Sequence, residues 1–291
     1  MKTKLFATIF LLIFISGTAF SQAVLSTPPL DGAYKRDHTA GRKAIPYTYL
    51  READVMWSKR VWRKLDLREK LNHPLYYPLK QIDDYQCLFS VLKNAVMNGA
   101  ITAYMTQNTA YTYDVADQFL VPMNLEEAKI SFQESIDSIP MQDSTGQTVV
   151  KAIRNSFKPE NVKQYLIKED WFFDRQRSVQ DVRIIGINPI LFYFSEAQGS
   201  EISKWAGWIY FPQARPTLAA ADVYLRQNSA EKRSFDDIFF KRMFSSFIYK
   251  EENVYTNREI SDYKTSTLDQ LLEAEKIKND IFTMEHDLWE W

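Results

Sequence analysis

The chain has 291 residues, 45% of them hydrophobic, which is enough apolar material for one large domain or two small ones. Its formal charge of −1 excludes a protein dominated by phosphate-backbone contacts, so no nucleic-acid partner is expected. One cysteine, Cys87, excludes an intramolecular disulfide, and the fold must rest on packing.

The N-terminus reads as a secretory signal peptide over residues 1–21. Lys2 and Lys4 are its positive end, Leu5 to Ile15 its apolar run, and Ala19-Phe20-Ser21 its cleavage motif before Gln22. The run is shorter than the ~20 residues a membrane span needs. Cleavage removes Lys2 and Lys4 and moves the formal charge from −1 to −3. No cysteine follows the run to accept a lipid, and no later segment is apolar enough to insert in a bilayer. The mature protein is expected to be soluble or peripheral.

Residues 22–49 read as an extended arm. Thr27-Pro28-Pro29 and Ile45-Pro46 oppose helix, and Asp31-Gly32 favours a turn. Such an arm is either a linker or a segment that orders on a partner. A short helix is expected near Leu50 to Val55, followed by a strand in which Val61, Leu65 and Leu67 share one face and Trp62, Lys64 and Asp66 the other. A helix is expected over 84–98, capped by Asp83 or Asp84 and stopped by Gly99. Ile101, Ala103 and Met105 alternate as a strand, and a helix follows from about Asn124 to Phe132 with Glu126 and Glu127 in its first turn. Residues 137–148, with Pro140 and Gly146, suggest an exposed loop.

Val162 to Phe173, Val182 to Phe194 and Trp205 to Phe211 have the β-branched and aromatic composition of strands, with Asn188-Pro189 as a break. Pro216 suits a first helical turn, with Leu218, Ala221 and Leu225 on one face. Ser234 with Asp237, and Ser266 with Asp269, are capping signatures, and Phe244 to Tyr249 suits a strand. The last helix carries a stripe of Leu271, Ala274, Ile277, Ile281, Met284 and Leu288. That stripe must bury against the protein's own sheet or against a partner. The mixture, without strict βαβ alternation, predicts an α+β fold: a largely antiparallel sheet with flanking helices and an extended N-terminal arm. Residues 50–291 are read as one domain, divisible into subdomains at about 50–150 and 151–291.

Chemistry is sparse. His38, His73 and His286 have no His or Cys at ligand spacing, so no metal site is predicted. No Gly-x-Ser-x-Gly elbow, P-loop or dinucleotide fingerprint occurs, so neither a catalytic residue nor a cofactor is expected. Cys87 falls in an apolar helical pattern and reads as an inert thiol. The paired acids Asp83-Asp84, Glu126-Glu127 and Asp236-Asp237 suit helix starts. The segment 57–64 interleaves aromatics with cations. It is either core beneath a solvated basic face or a protein contact, for which Trp57, Arg60, Trp62 and Arg63 are the candidates. Trp289 and Trp291 are further interface candidates.

The run from Leu50 through Met56-Trp57-Ser58-Lys59-Arg60-Val61-Trp62-Arg63 to Asn72-His73-Pro74-Leu75-Tyr76-Tyr77-Pro78 resembles the GldN/PorN family of the Bacteroidota. Lys168-Glu169-Asp170-Trp171-Phe172-Phe173-Asp174, Ile184 with Gly186-Ile187, and Trp208-Ile209-Tyr210-Phe211-Pro212 support the likeness. The resemblance implies a periplasmic, non-catalytic component of type IX secretion and gliding motility. It further implies self-association within a ring, built with an outer-membrane lipoprotein of the GldK/PorK kind, and contact with the periplasmic part of a GldM/PorM-like motor protein. The resemblance brings no catalytic residue. A glycan-acting hydrolase or glycan-binding module is the alternative.

Overall fold

The computed structural model describes residues 33, 41–106, 118–142, 148–195, 199–226, 228 and 230–287, with the backbone alone for 134–142, 148–155 and 285. The chain forms two units, Met1–His38 and Thr39–Trp291. Apart from Ala33, the first unit lies outside the described residues, and so does the signal-peptide reading.

The elements of the second unit are β1 (Val55–Asp66), α1 (Leu88–Met97), β2 (Ala103–Tyr104), α2 (Leu125–Phe132), β3 (Glu134–Gln142), β4 (Thr148–Ser156), β5 (Val162–Asp174), β6 (Val179–Ser195), β7 (Ser200–Trp205), β8 (Trp208–Tyr210), α3 (Phe211–Ala220), α4 (Phe235–Phe240), β9 (Phe247–Glu251) and α5 (Thr267–Asp287). The fold is α+β. Seven strands form one antiparallel sheet in the order β2-β8-β6-β5-β1-β9, with β7 also paired to β6. β3 and β4 form a separate two-stranded ribbon.

Alternation sets two faces on the sheet. Val61, Arg63, Leu65 and Leu67 of the β1 segment point to the face that carries the helices. There the main core gathers Tyr165, Ile167, Ile187, Leu191 and Ile209 from the sheet with residues of α1, α2, α3 and α4. On the same face α5 lays Ala274, Ile277 and Ile281 onto Val61 and Ile248. The last helix therefore docks on its own sheet. Leu271, expected in its buried stripe, is 50% exposed, and Leu288 lies outside the described residues.

Several helix ends follow local chemistry. Asn124 and Glu127 exchange capping-box bonds, Glu127 N–H to Asn124 Oδ1 at 2.9 Å and Asn124 N–H to Glu127 Oε2 at 2.8 Å. Ser234 and Asp237 do the same at the start of α4. Gly99, at φ +71°, ends α1: its N–H meets the Val96 carbonyl, and Ala100 N–H reaches Ala95, a Schellman arrangement that a side chain would strain. α1 begins at Leu88, not at 84, because Asp83 has φ +49° and Ile82 and Tyr85 exchange backbone bonds in a turn incompatible with helix.

Four further expectations need correction. Residues 137–142 belong to strand β3, where Pro140 is tolerated because a two-stranded ribbon leaves an outward N–H side on each strand. Asn188-Pro189 does not break β6. Pro189 sits where its neighbour changes from β8, paired at Gly186 and Ile187, to β7, paired from Ile190, so the missing N–H interrupts no ladder. Ala206 N–H bonds the Pro189 carbonyl and Gly207 N–H the Asn188 Oδ1 at the changeover. α3 begins at Phe211 on Pro212, and Pro216 lies within it. Glu52–Asp54 is a 3₁₀ turn rather than a longer helix.

Within the arm, residues 42–50 have no regular structure but are held. Arg42 pairs with Asp237 at 2.9 Å, and the Tyr47 ring lies 4.1 Å under the Arg215 guanidinium. Arg215 itself is buried in a bidentate pair with Asp236 at 2.8 and 3.1 Å.

Candidate functional site

The sheet face opposite the helices is built from aromatic rings and lysines. Its buried members are Trp62, Leu166, Ile190 and Trp208, with Tyr104, Phe119, Phe192 and Tyr249 packed around them. These come from strands and from the loop at Phe119; no residue of a described helix is among them. Period-2 alternation places them together: Trp62 on β1, Leu166 and Lys168 on β5, Ile190, Phe192 and Phe194 on β6. Gly186 admits Phe119 to the sheet, since a Cβ there would stand 2.6 Å from the Phe119 ring and 3.0 Å from Trp208.

Lysines lie across these rings. Lys250 stands 4.7 Å from the Trp62 ring centre, Lys64 5.2 Å from Tyr249, and Lys163 5.2 Å from Phe192. Lys168, itself buried, lies 5.8 Å from Trp62 and 5.4 Å from Phe119. Their alkyl stems cover apolar surface while the charge meets the ring faces. Around this roof Phe194, Trp205 and Tyr210 are 61%, 36% and 40% exposed on the same face. Large aromatics ringed by polar groups are the composition of a protein contact rather than a solvated face.

The candidate interface residues are divided by this geometry. Trp62 is 3% exposed and Arg63 7% exposed, so both belong to the interior and are not free for a partner. β1 is a central strand with both faces covered, which alternating sequence alone does not disclose. Trp57 is half-buried and packs beside Val61 under α5. Arg60 is half-buried in a bidentate pair with Asp170 at 2.5 and 2.8 Å. Trp289 and Trp291 lie outside the described residues. Phe194, Trp205 and Tyr210 were not singled out by sequence reasoning. The signal was present in the one-residue alternation of Ile190, Phe192 and Phe194, with Trp205 facing Ile190.

On the helix-bearing face, Arg63 meets a buried ion cluster. Glu169, fully buried, accepts from Arg63 Nε at 3.1 Å, Arg242 Nη2 at 3.1 Å and Trp171 Nε1 at 3.2 Å. Burial pulls the Arg63 guanidinium below its ordinary pKa; Glu169 opposes that and Arg242 adds to it.

Cys87 is buried at the start of α1 with its Sγ 3.2 Å from Ser90 Oγ. His73 stacks edge-on against Tyr77, His286 is exposed near the end of α5, and His38 is outside the described residues. Among the described residues no group of three His, Cys, Asp or Glu is placed to hold a metal, and no helix is long and apolar enough to cross a membrane.

The family described as Gliding motility associated protein GldN matches residues 50–290, nearly the whole of the second unit. The chain belongs to the GldN family. No curated protein matches it. The GldN match takes in β1, the whole sheet and α5, so the aromatic-lysine face and the Glu169 cluster both lie inside the family region.

Proposed function

We propose that this GldN protein is a non-catalytic structural part of the type IX secretion and gliding machinery. It is exported by its signal peptide and works in the periplasm. There it associates with itself and with an outer-membrane lipoprotein of the GldK/PorK kind in a ring, and contacts the periplasmic part of a GldM/PorM-like motor protein. The observation that carries this reading is the family match over residues 50–290. The exposed Phe194, Trp205 and Tyr210 support it, because aromatic anchors beside polar groups supply much of the energy of protein contacts. A pull-down of the tagged protein from envelope membranes, read by mass spectrometry, tests it. The lipoprotein and the motor protein should be recovered together. Recovery of the bait alone, with turnover of an envelope glycan by the purified protein, would replace this reading with an enzyme.

A further inference from the structure

Beside the Glu169 cluster is a pocket of about 470 Å³, within the size range of small-ligand sites. β1 and β5 contribute Arg63 and Trp171, the segment before β9 contributes Arg242, Phe244, Ser245 and Ser246, and α5 contributes Lys278, Ile281 and Phe282. The pocket opens where α5 and the Leu71 turn face each other across the sheet's helix-bearing side.

Three observations point to what it takes. The first is charge. One carboxylate, Glu169, faces two guanidiniums, Arg63 and Arg242, leaving a surplus positive charge at the pocket wall. At the mouth Lys278 pairs with Glu275 at 2.8 Å, so that pair does not cancel it. Burial is the main cause of the depressed Arg63 pKa; Glu169 and Glu275 oppose it, and the like charge of Arg242 adds to it. The second is orientation. The Arg242 guanidinium lies against two rings, 5.2 Å from Trp171 and 5.3 Å from Phe244. Its Nη1 and Nη2 both meet Glu169, at 3.0 and 3.1 Å, so what it offers a second carboxylate is the remainder of its five N–H donors. Arg63 spends its Nε on Glu169, while its Nη1 has a long 3.4 Å contact with Ser246 Oγ. The third is the apolar wall. Trp171 and Phe244 continue to Ile281 and to Phe282, whose side chain is 69% exposed at the rim.

We propose that this pocket binds a carboxylate attached to an apolar group, with the carboxylate on Arg242 and Arg63 and the apolar part against Trp171, Phe244 and Phe282. The carboxylate belongs either to an acidic segment of a partner chain or to a small organic acid; both offer the same chemistry. The pocket lies on the opposite face of the sheet from Phe194 and Trp205, so its test is separate from that of the aromatic face.

The test is a titration of the full-length mature protein followed by NMR at the Trp171 indole N–H, assigned by Trp171→Phe. The probes are 3-phenylpropionate, its neutral amide, and an end-blocked Phe-Glu peptide. The acid should shift the Trp171 signal saturably and the amide should not. Arg242→Gln and Lys278→Glu should each weaken binding by about tenfold. Lys278 is exposed, so its variant reports even if Arg242→Gln fails to fold. Tighter binding of the peptide than of the free acid assigns the site to a partner segment, and the reverse assigns it to a small acid. No saturable shift with acid or peptide, equal response to the amide, or unchanged affinity in Lys278→Glu would overturn the proposal.

Discussion

Removing the Glu169 carboxylate should be among the most damaging single changes in this domain. Glu169 is fully buried and accepts three hydrogen bonds, two from arginines. Glu169→Ala would leave Arg63, which is 7% exposed, without its counter-ion beside Arg242. Deleting one partner of a buried ion pair costs about 3–5 kcal/mol, because the remaining charge stays desolvated. For a domain of this size each kcal/mol moves Tm by about 2–4 °C, so the expected drop is roughly 6–20 °C. Arg242 is half-exposed and can turn to water, which places the value toward the lower part of that range. Circular dichroism melts and urea titrations of the mature protein measure it. Adding Arg63→Met to Glu169→Leu should recover part of the loss, since an apolar pair of similar volume needs no counter-ion. A Glu169→Ala loss below about 1 kcal/mol would refute the reasoning and mean that water already solvates the cluster.

Other outcomes follow from the same geometry. Trp62→Ala should cost about 3–5 kcal/mol in the isolated protein, as for any large buried aromatic, and a denaturation curve matching the parent would return Trp62 to the list of contact residues. Phe194→Ser and Trp205→Ser should leave the melting curve nearly unchanged but reduce recovery of envelope partners in pull-downs; full recovery in the double variant would remove this face from the interface. Burial raises the Asp237 pKa, but Ser234 donors, Arg42 and Lys241 outweigh it and hold the carboxyl below its ordinary value. Its contribution is therefore complete above the unfolded pKa of about 3.9 and is lost as pH falls through the lower folded value. Stability against pH should lose part of its acid limb in Asp237→Asn, and an identical limb would show that the capping box carries no linkage.

What the sequence disclosed was mostly local. The start at Ser234 is visible because a capping box is written in four residues, the start near Asn124 because Glu126 and Glu127 suit a first turn, and the stop at Gly99 because a positive φ favours glycine. β5 and β6 are visible as long apolar, β-branched runs. Their pairing also makes Pro189 harmless, but that depends on where β7 and β8 divide along β6, a property of three strands at once. Residues 137–142 do not read as a strand for a related reason: a polar, proline-bearing strand survives in a ribbon that only its partner reveals. Of the candidate contact residues on β1, Trp62 and Arg63 are buried. Trp62 and Arg63 alternate correctly to opposite faces, yet both faces are roofed, one by lysines and aromatics and the other by helices. The exposed rings, Phe194 and Trp205, come from the β6–β7 hairpin, whose second arm, Ser200–Trp205, is not among the strands the composition predicts.

The central claim is that this GldN chain acts by assembling. Size-exclusion chromatography with light scattering on the mature protein, alone and mixed with its candidate lipoprotein partner, tests that directly. A shift to one discrete, very large species containing both chains, weakened by Phe194→Ser with Trp205→Ser, is the expected result. A monomer whose elution is unchanged by the lipoprotein would contradict the account.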